Sequence, residues 1–113
     1  MKDENQTVRV VDDDLFEILD IPNAPDEKAR VDLAAAITLE IRRRGLTQKQ
    51  AAAQLGVSQP DVSAIMNARI DGFSQERLER LLNALDMEVR IQVGPRPEGK
   101  ARAGITVQLV EAF

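Results

Sequence analysis

Residues 47–67 read TQKQAAAQLGVSQPDVSAIMN. Thr47 and Gln50 stand three apart as T-x-x-Q, the spacing of a capping box. In that device a hydroxyl accepts from one orphan backbone N–H of a helix start while the amide accepts from the N–H of the cap itself. Ser58 and Asp61 repeat the spacing as S-x-x-D. Two short helices are therefore predicted, over about 48–54 and about 59–67. Between them stands Gly56, which can take a positive φ at little steric cost, end the first helix and redirect the chain. Ala51 and Ala52 are small enough to let the first helix pack closely on its neighbours. Leu55, Val57, Val62 and Ile65 supply an apolar wedge that fixes the crossing. Short helix, sharp turn and second helix make a helix-turn-helix.

The flanks supply a frame for that pair. A longer helix is predicted from about Asp26 to Arg44, with Leu33, Ile37 and Ile41 spaced by four. Gly45 stops it, and Arg42, Arg43 and Arg44 in its last turn suit the negative end of the helix dipole. Residues 70–73, IDGF, read as a turn, and Ser74 opens a helix reaching Leu85. Leu78, Leu81, Leu82 and Leu85 form its inward face. Upstream, Asp14 is placed to cap a short helix over 15–19 (LFEIL), Pro22 and Pro25 bound a linker, and TVRVV at 7–11 reads as a short strand or an ordered arm.

Downstream the period changes to two. Residues 87–93 (MEVRIQV) and 105–109 (ITVQL) alternate apolar and polar, so each reads as a strand with one buried face. Residues 94–104, GPRPEGKARAG, then form a long hairpin loop. The expected fold is mainly α, with four to five helices and a C-terminal two-stranded β-hairpin. Its parts are an acidic N-terminal arm over 1–25, the helix-turn-helix domain over 26–86, and the hairpin over 87–113.

Composition excludes several functions. The chain of 113 residues is of single-domain size, with 43% apolar and 30% charged residues, the balance of a soluble globular protein. It has no cysteine and no histidine. Disulfides and thiolate metal sites are thereby ruled out, and so are Ser-His or Cys-His nucleophilic pairs. No nucleophile–base pair, metal cluster or phosphate-cradling glycine loop is evident, so an enzyme, a bound metal and a cofactor are not expected. With three phenylalanines as the only aromatic residues, a base-stacking surface for single strands is not expected either. No apolar run suffices for a membrane span and the first ten residues lack a signal core, so a cytoplasmic location is expected.

The net charge of −4 is unevenly spread. Residues 1–25 carry seven acids against Lys2 and Arg9, whereas residues 40–69 carry five cations against Glu40 and Asp61. An acidic arm is joined to a modestly basic centre, and local charge governs a phosphate contact. The Asp12-Asp13-Asp14 run does not converge on one point, so it reads as a solvated run with a helix cap rather than a metal site.

The stretch 47–67 resembles the helix-turn-helix of the phage-repressor (Cro/C1, XRE-type) DNA-binding domains, with Gln48, Ala52, Gly56, Val57, Gln59, Val62 and Ile65 in that register. The resemblance covers about residues 30–85. It implies that Gln48 braces Gln59 and the backbone, and that Gln59 reads a base. A narrower similarity runs through LFEILDIPNAPDEKARVDLAAAI, RGLTQKQAAAQLGVSQPDVSAIMNAR and GFSQERLERLLNALDMEVRIQV. These stretches look like small bacterial regulators that include antitoxins of mRNA-cleaving toxins (HigA-like). That resemblance implies a repressor that autoregulates a type II toxin–antitoxin operon; a toxin-neutralising interaction module or a stand-alone regulator are its alternatives. The acidic arm is then either a polar tail or the segment that docks a basic toxin.

With the second helix of the pair in a major groove, its N-terminal residues face base edges. Gln59, Ser63 and Asn67 lie at i, i+4, i+8, and an amide pairs a donor with an acceptor, as adenine N6 and N7 require. Pro60 fits a helix start and could touch a thymine methyl. Ser58 joins this set beside the groove, while Asp61 reads first as a cap. Lys49, Arg44 and Arg69 are the expected phosphate partners, with Arg42 and Arg43 behind them. So few cations predict weak binding by one protomer, which a homodimer on a palindromic duplex would repair. Pairing of the strands across a two-fold axis, burying Val89, Ile91, Val93 and Val107, is the expected dimer interface.

Overall fold

The computed structural model describes residues 7–10 and 25–111, with side-chain environments from residue 27 to residue 110. The short helix expected over 15–19, the Pro22 end of the linker and the Asp12-Asp13-Asp14 run lie outside the described residues. The elements in chain order are β1 (Thr7–Val10), α1 (Pro25–Arg43), α2 (Gln48–Leu55), α3 (Gln59–Met66), α4 (Gln75–Ala84) and β2 (Gln108–Glu111). Pro25, expected to bound the linker, is instead the first residue of α1, where its missing N–H has no helical partner to lose.

α1 packs on α4 and α3, α2 packs on α3, and α2 also touches α4. Their common core holds Leu33, Ile37 and Ile41 from α1, Ala51 and Leu55 from α2, Val62 and Ile65 from α3, and Leu78, Leu81 and Leu82 from α4. Ile70, Phe73 and Leu85 close it from the connecting turns. Every apolar position singled out by the spacing of four on α1 and the i, i+3, i+4, i+7 pattern on α4 is buried.

The expected hairpin is not formed. Among the described residues, 87–93 have no strand partner, and the second strand lies at 108–111 rather than 105–109. β2 pairs antiparallel with β1, with Thr7 opposite Glu111, Val8 opposite Val110, Arg9 opposite Leu109 and Val10 opposite Gln108. Alternation marks a segment with one apolar side but does not choose what covers it. Here the odd-numbered residues Met87, Val89, Val107 and Leu109 lean on the helical core. Ile91 and Val93 run on past it, 75% and 90% exposed. The intervening Pro95 and Pro97 also lack the N–H that a continued ladder needs.

Candidate nucleic-acid interface

The start of α2 is fixed by the complete capping box: Thr47 Oγ1 accepts from the Gln50 N–H at 3.0 Å, and the Thr47 N–H donates to Gln50 Oε1 at 2.9 Å. Its end is fixed by Gly56, whose φ of 73° and ψ of 31° are left-handed. Gly56 N–H and Val57 N–H both donate to the Ala52 carbonyl, at 2.9 and 3.1 Å, so one oxygen closes the turn. A Cβ at Gly56 would meet nothing within 4 Å, so the need for glycine there is one of backbone angle and not of space.

Two residues separate Gly56 from α3, which has only the hydroxyl half of the second box. Ser58 Oγ accepts from the Asp61 N–H at 3.2 Å. The Asp61 carboxylate turns away toward Arg77 on α4, whose Nη2 lies 3.4 Å from Oδ2. Pro60 occupies the first turn of α3. Val62 and Ile65 enter the core and leave the opposite side of the helix outward: Ser58, Gln59, Pro60 and Asn67 are exposed and Ser63 is half-buried. The i, i+4, i+8 face expected from the sequence is therefore on the surface. Asn67 is the C-terminal cap residue, and its Nδ2 donates to the Ser63 carbonyl at 2.8 Å. That bond engages the amide nitrogen and leaves the oxygen as an acceptor. The chain leaves α3 through Ala68, a non-glycine residue at φ 58°.

The other expected contacts divide into two groups. Lys49 and Arg69 are exposed, and neither is in an ion pair among the described residues. Arg44 is engaged in the fold. Its Nε bonds Glu40 at 2.6 Å, and its Nη2 donates to the Leu85 carbonyl at the end of α4. Arg43 shares the same carboxylate, with Nη2 at 2.6 Å and Nε at 3.0 Å. The Arg43 guanidinium holds the Glu40 carboxyl below its ordinary pKa; burial opposes this, and Arg44 adds to the lowering. Arg43 is raised in turn by the Glu40 hydrogen bond. Gln48 is half-buried, with its amide 4.0 Å from Met66 Sδ, so its bridge between α2 and α3 reaches the far end of α3 rather than Gln59.

Arg77 is a neighbour of this face that the pattern of the sequence did not single out. The Phe73 ring under it, at i and i+4, was the available signal. Its guanidinium carbon lies 4.5 Å from the centre of the buried Phe73 ring. Among the described residues no cluster of acidic side chains is placed to hold a metal, and no helix is long and apolar enough to cross a membrane.

A two-helix unit closed by a left-handed glycine, with a polar exposed side on its second helix, defines a helix-turn-helix protein. A family profile for helix-turn-helix domains matches residues 16–94. A solved structure named as a candidate XRE family transcriptional regulator is 45% identical, with a TM-score of 0.69 over 76% of this chain and 97% of its own. No curated protein matches the chain. The chain belongs to the XRE-type helix-turn-helix family of transcriptional regulators.

Proposed function

We propose that this protein is a sequence-specific repressor that binds double-stranded DNA as a homodimer, with α3 in the major groove. One observation carries the reading: Gln59 and Asn67 are exposed and Ser63 half-buried along one side of α3, while Lys49 and Arg69 are exposed and in no ion pair among the described residues. Amides are suited to adenine edges, and the uncommitted cations to phosphates. Gln59 is the main base reader, Ser63 and Asn67 support it, and Pro60 and Ser58 line the same edge. Gln48 holds α2 against α3. The dimer sets two α3 helices about 34 Å apart, or a multiple of that, on a palindromic duplex.

Ile91 and Val93 carry the dimer contact, since they are the two expected interface residues left most open; Val89 and Val107 already lean on the core of their own protomer. Selection from a random duplex pool, followed by sedimentation with the recovered duplex, tests the whole reading. Recovery of a palindrome bound by two copies is expected. A pool that stays random after several rounds, or one copy per duplex, would sink it.

The likeness to HigA-like regulators supports the narrower role of antitoxin in a type II module that represses its own operon. Co-expression with the product of the adjacent reading frame tests that role by itself. A tight complex and rescued growth are expected; an innocuous neighbour that does not bind leaves a stand-alone regulator.

A further inference from the structure

We propose that Arg77 is a phosphate-contacting residue at the N-terminal side of the recognition helix α3, and that Asp61 is the tether that positions it. The proposal rests on the DNA-binding reading above and adds a contact from α4, outside the helix-turn-helix itself.

Three contacts localise the guanidinium. Its plane carbon sits 4.5 Å above the Phe73 ring. Phe73 is only 4% exposed, and its carbonyl receives Arg30 Nη1 at 3.4 Å from α1, so the platform is fixed by the core. Arg77 Nη1 approaches the Gly72 carbonyl at 3.5 Å, and Nη2 approaches Asp61 Oδ2 at 3.4 Å. The base of the side chain is fixed too, because the Arg77 backbone N–H donates to the cap hydroxyl of Ser74 at 3.1 Å.

None of these contacts consumes the group. Both polar ones are at the long limit for a hydrogen bond, and a guanidinium has five donors in a planar fork. Arg77 and Asp61 side chains remain 44% and 37% exposed. A partly exposed cation held in place with donors still uncommitted is what a bidentate phosphate contact needs, since less side-chain freedom is left to lose on binding.

The same arrangement accounts for an acid in the first turn of α3. An unaccompanied Asp61 would repel the backbone of a duplex approaching Gln59. With Arg77 beside it the local charge is balanced, and the free donors of Arg77 turn the neighbourhood attractive. Asp61 therefore acts through Arg77 and reads no base. Stacking on an aromatic face and fork geometry are properties of arginine that lysine lacks.

The test measures binding to the duplex recovered by selection and to a random duplex of equal length, each across a series of salt concentrations, for the parent, Arg77→Ala and Arg77→Lys. The parent is read first: if it binds neither duplex, the DNA-binding reading falls and this proposal with it. With a binding parent, Arg77→Ala is expected to weaken both duplexes by the same factor, about tenfold, and to lower the salt slope by about one. Arg77→Lys should keep the parental slope with a smaller loss of affinity. Unchanged binding by Arg77→Ala would overturn the proposal alone. So would a loss confined to the selected duplex at unchanged slope, which would mean that Arg77 only seats α3. If Arg77→Ala melts early, Arg77→Gln, which retains the stem over Phe73, takes its place with the same expected slope.

Discussion

Arg44 at the end of α1 donates to the backbone carbonyl of Leu85 at the end of α4, although the two residues are 41 apart in sequence. The last carbonyls of a helix have no partner within it, and here a side chain from another helix supplies one. Glu40 accepts from Nε of the same guanidinium at 2.6 Å. Arg44 thus joins α1 to α4, which pack on each other in the core. Arg44→Ala is expected to lower stability in urea by roughly 1–2 kcal/mol, because the Leu85 carbonyl and Glu40 both lose a donor. The salt slope of DNA binding should match that of the parent. A reduced slope at unchanged stability would return Arg44 to the phosphate contacts.

The Glu40 carboxyl gives this junction a pH dependence. Arg43 above all, then Arg44, holds its folded pKa below the ordinary value against the effect of burial. A carboxyl depressed in this way contributes stability that is fully present above its unfolded pKa and is lost as pH falls through the folded one. Glu40→Gln should therefore be less stable than the parent near neutrality, with the two curves converging in the acid range below about pH 5. Denaturant midpoints from pH 7 to pH 3 measure this; parallel curves would mean that the pair adds no net stability.

At the proposed interface, two substitutions should part company. Gln59→Ala is expected to narrow the gap between selected and random duplexes by roughly 1–3 kcal/mol, the worth of a bidentate base contact. Lys49→Ala should weaken both duplexes alike and lower the salt slope by about one. Competition binding with the two duplexes at several salt concentrations distinguishes these outcomes.

The turns at either end of α3 should respond in opposite directions. Gly56 has open space around it but a φ of 73°. Gly56→Ala is therefore expected to cost about 1–2 kcal/mol from backbone strain alone. Ala68 holds a φ of 58° with a side chain. Ala68→Gly should relieve that strain, less the entropy glycine adds to the unfolded chain, for a gain of about 0.5–1 kcal/mol. Thermal melts of the two variants give the signs directly.

What was legible in the sequence was local. The Thr47 box, the Gly56 turn and the leucines of α4 are decided within a few residues, and each stands where its spacing put it. The reciprocal half of the second box failed because Asp61 had a competitor, Arg77, 16 residues away. Arg44 was read from its place in a basic last turn, which says nothing of a carbonyl on another helix. At the C-terminal end the apolar alternation was real, yet Met87 and Val89 used it to lean on helices and not to pair with 105–109. Strand identity was visible in TVRV at the N-terminal end; its partner, a hundred residues on, was not.

That pairing has a kinetic consequence. Thr7 sits opposite Glu111, so the ladder closes a ring containing the entire helical domain. Closing so long a loop is entropically costly until the helices have already shortened it, which makes the ladder a late event in folding. Among the described residues four on each side form it, and their amides should exchange with deuterium well before those of Ile37 or Leu78.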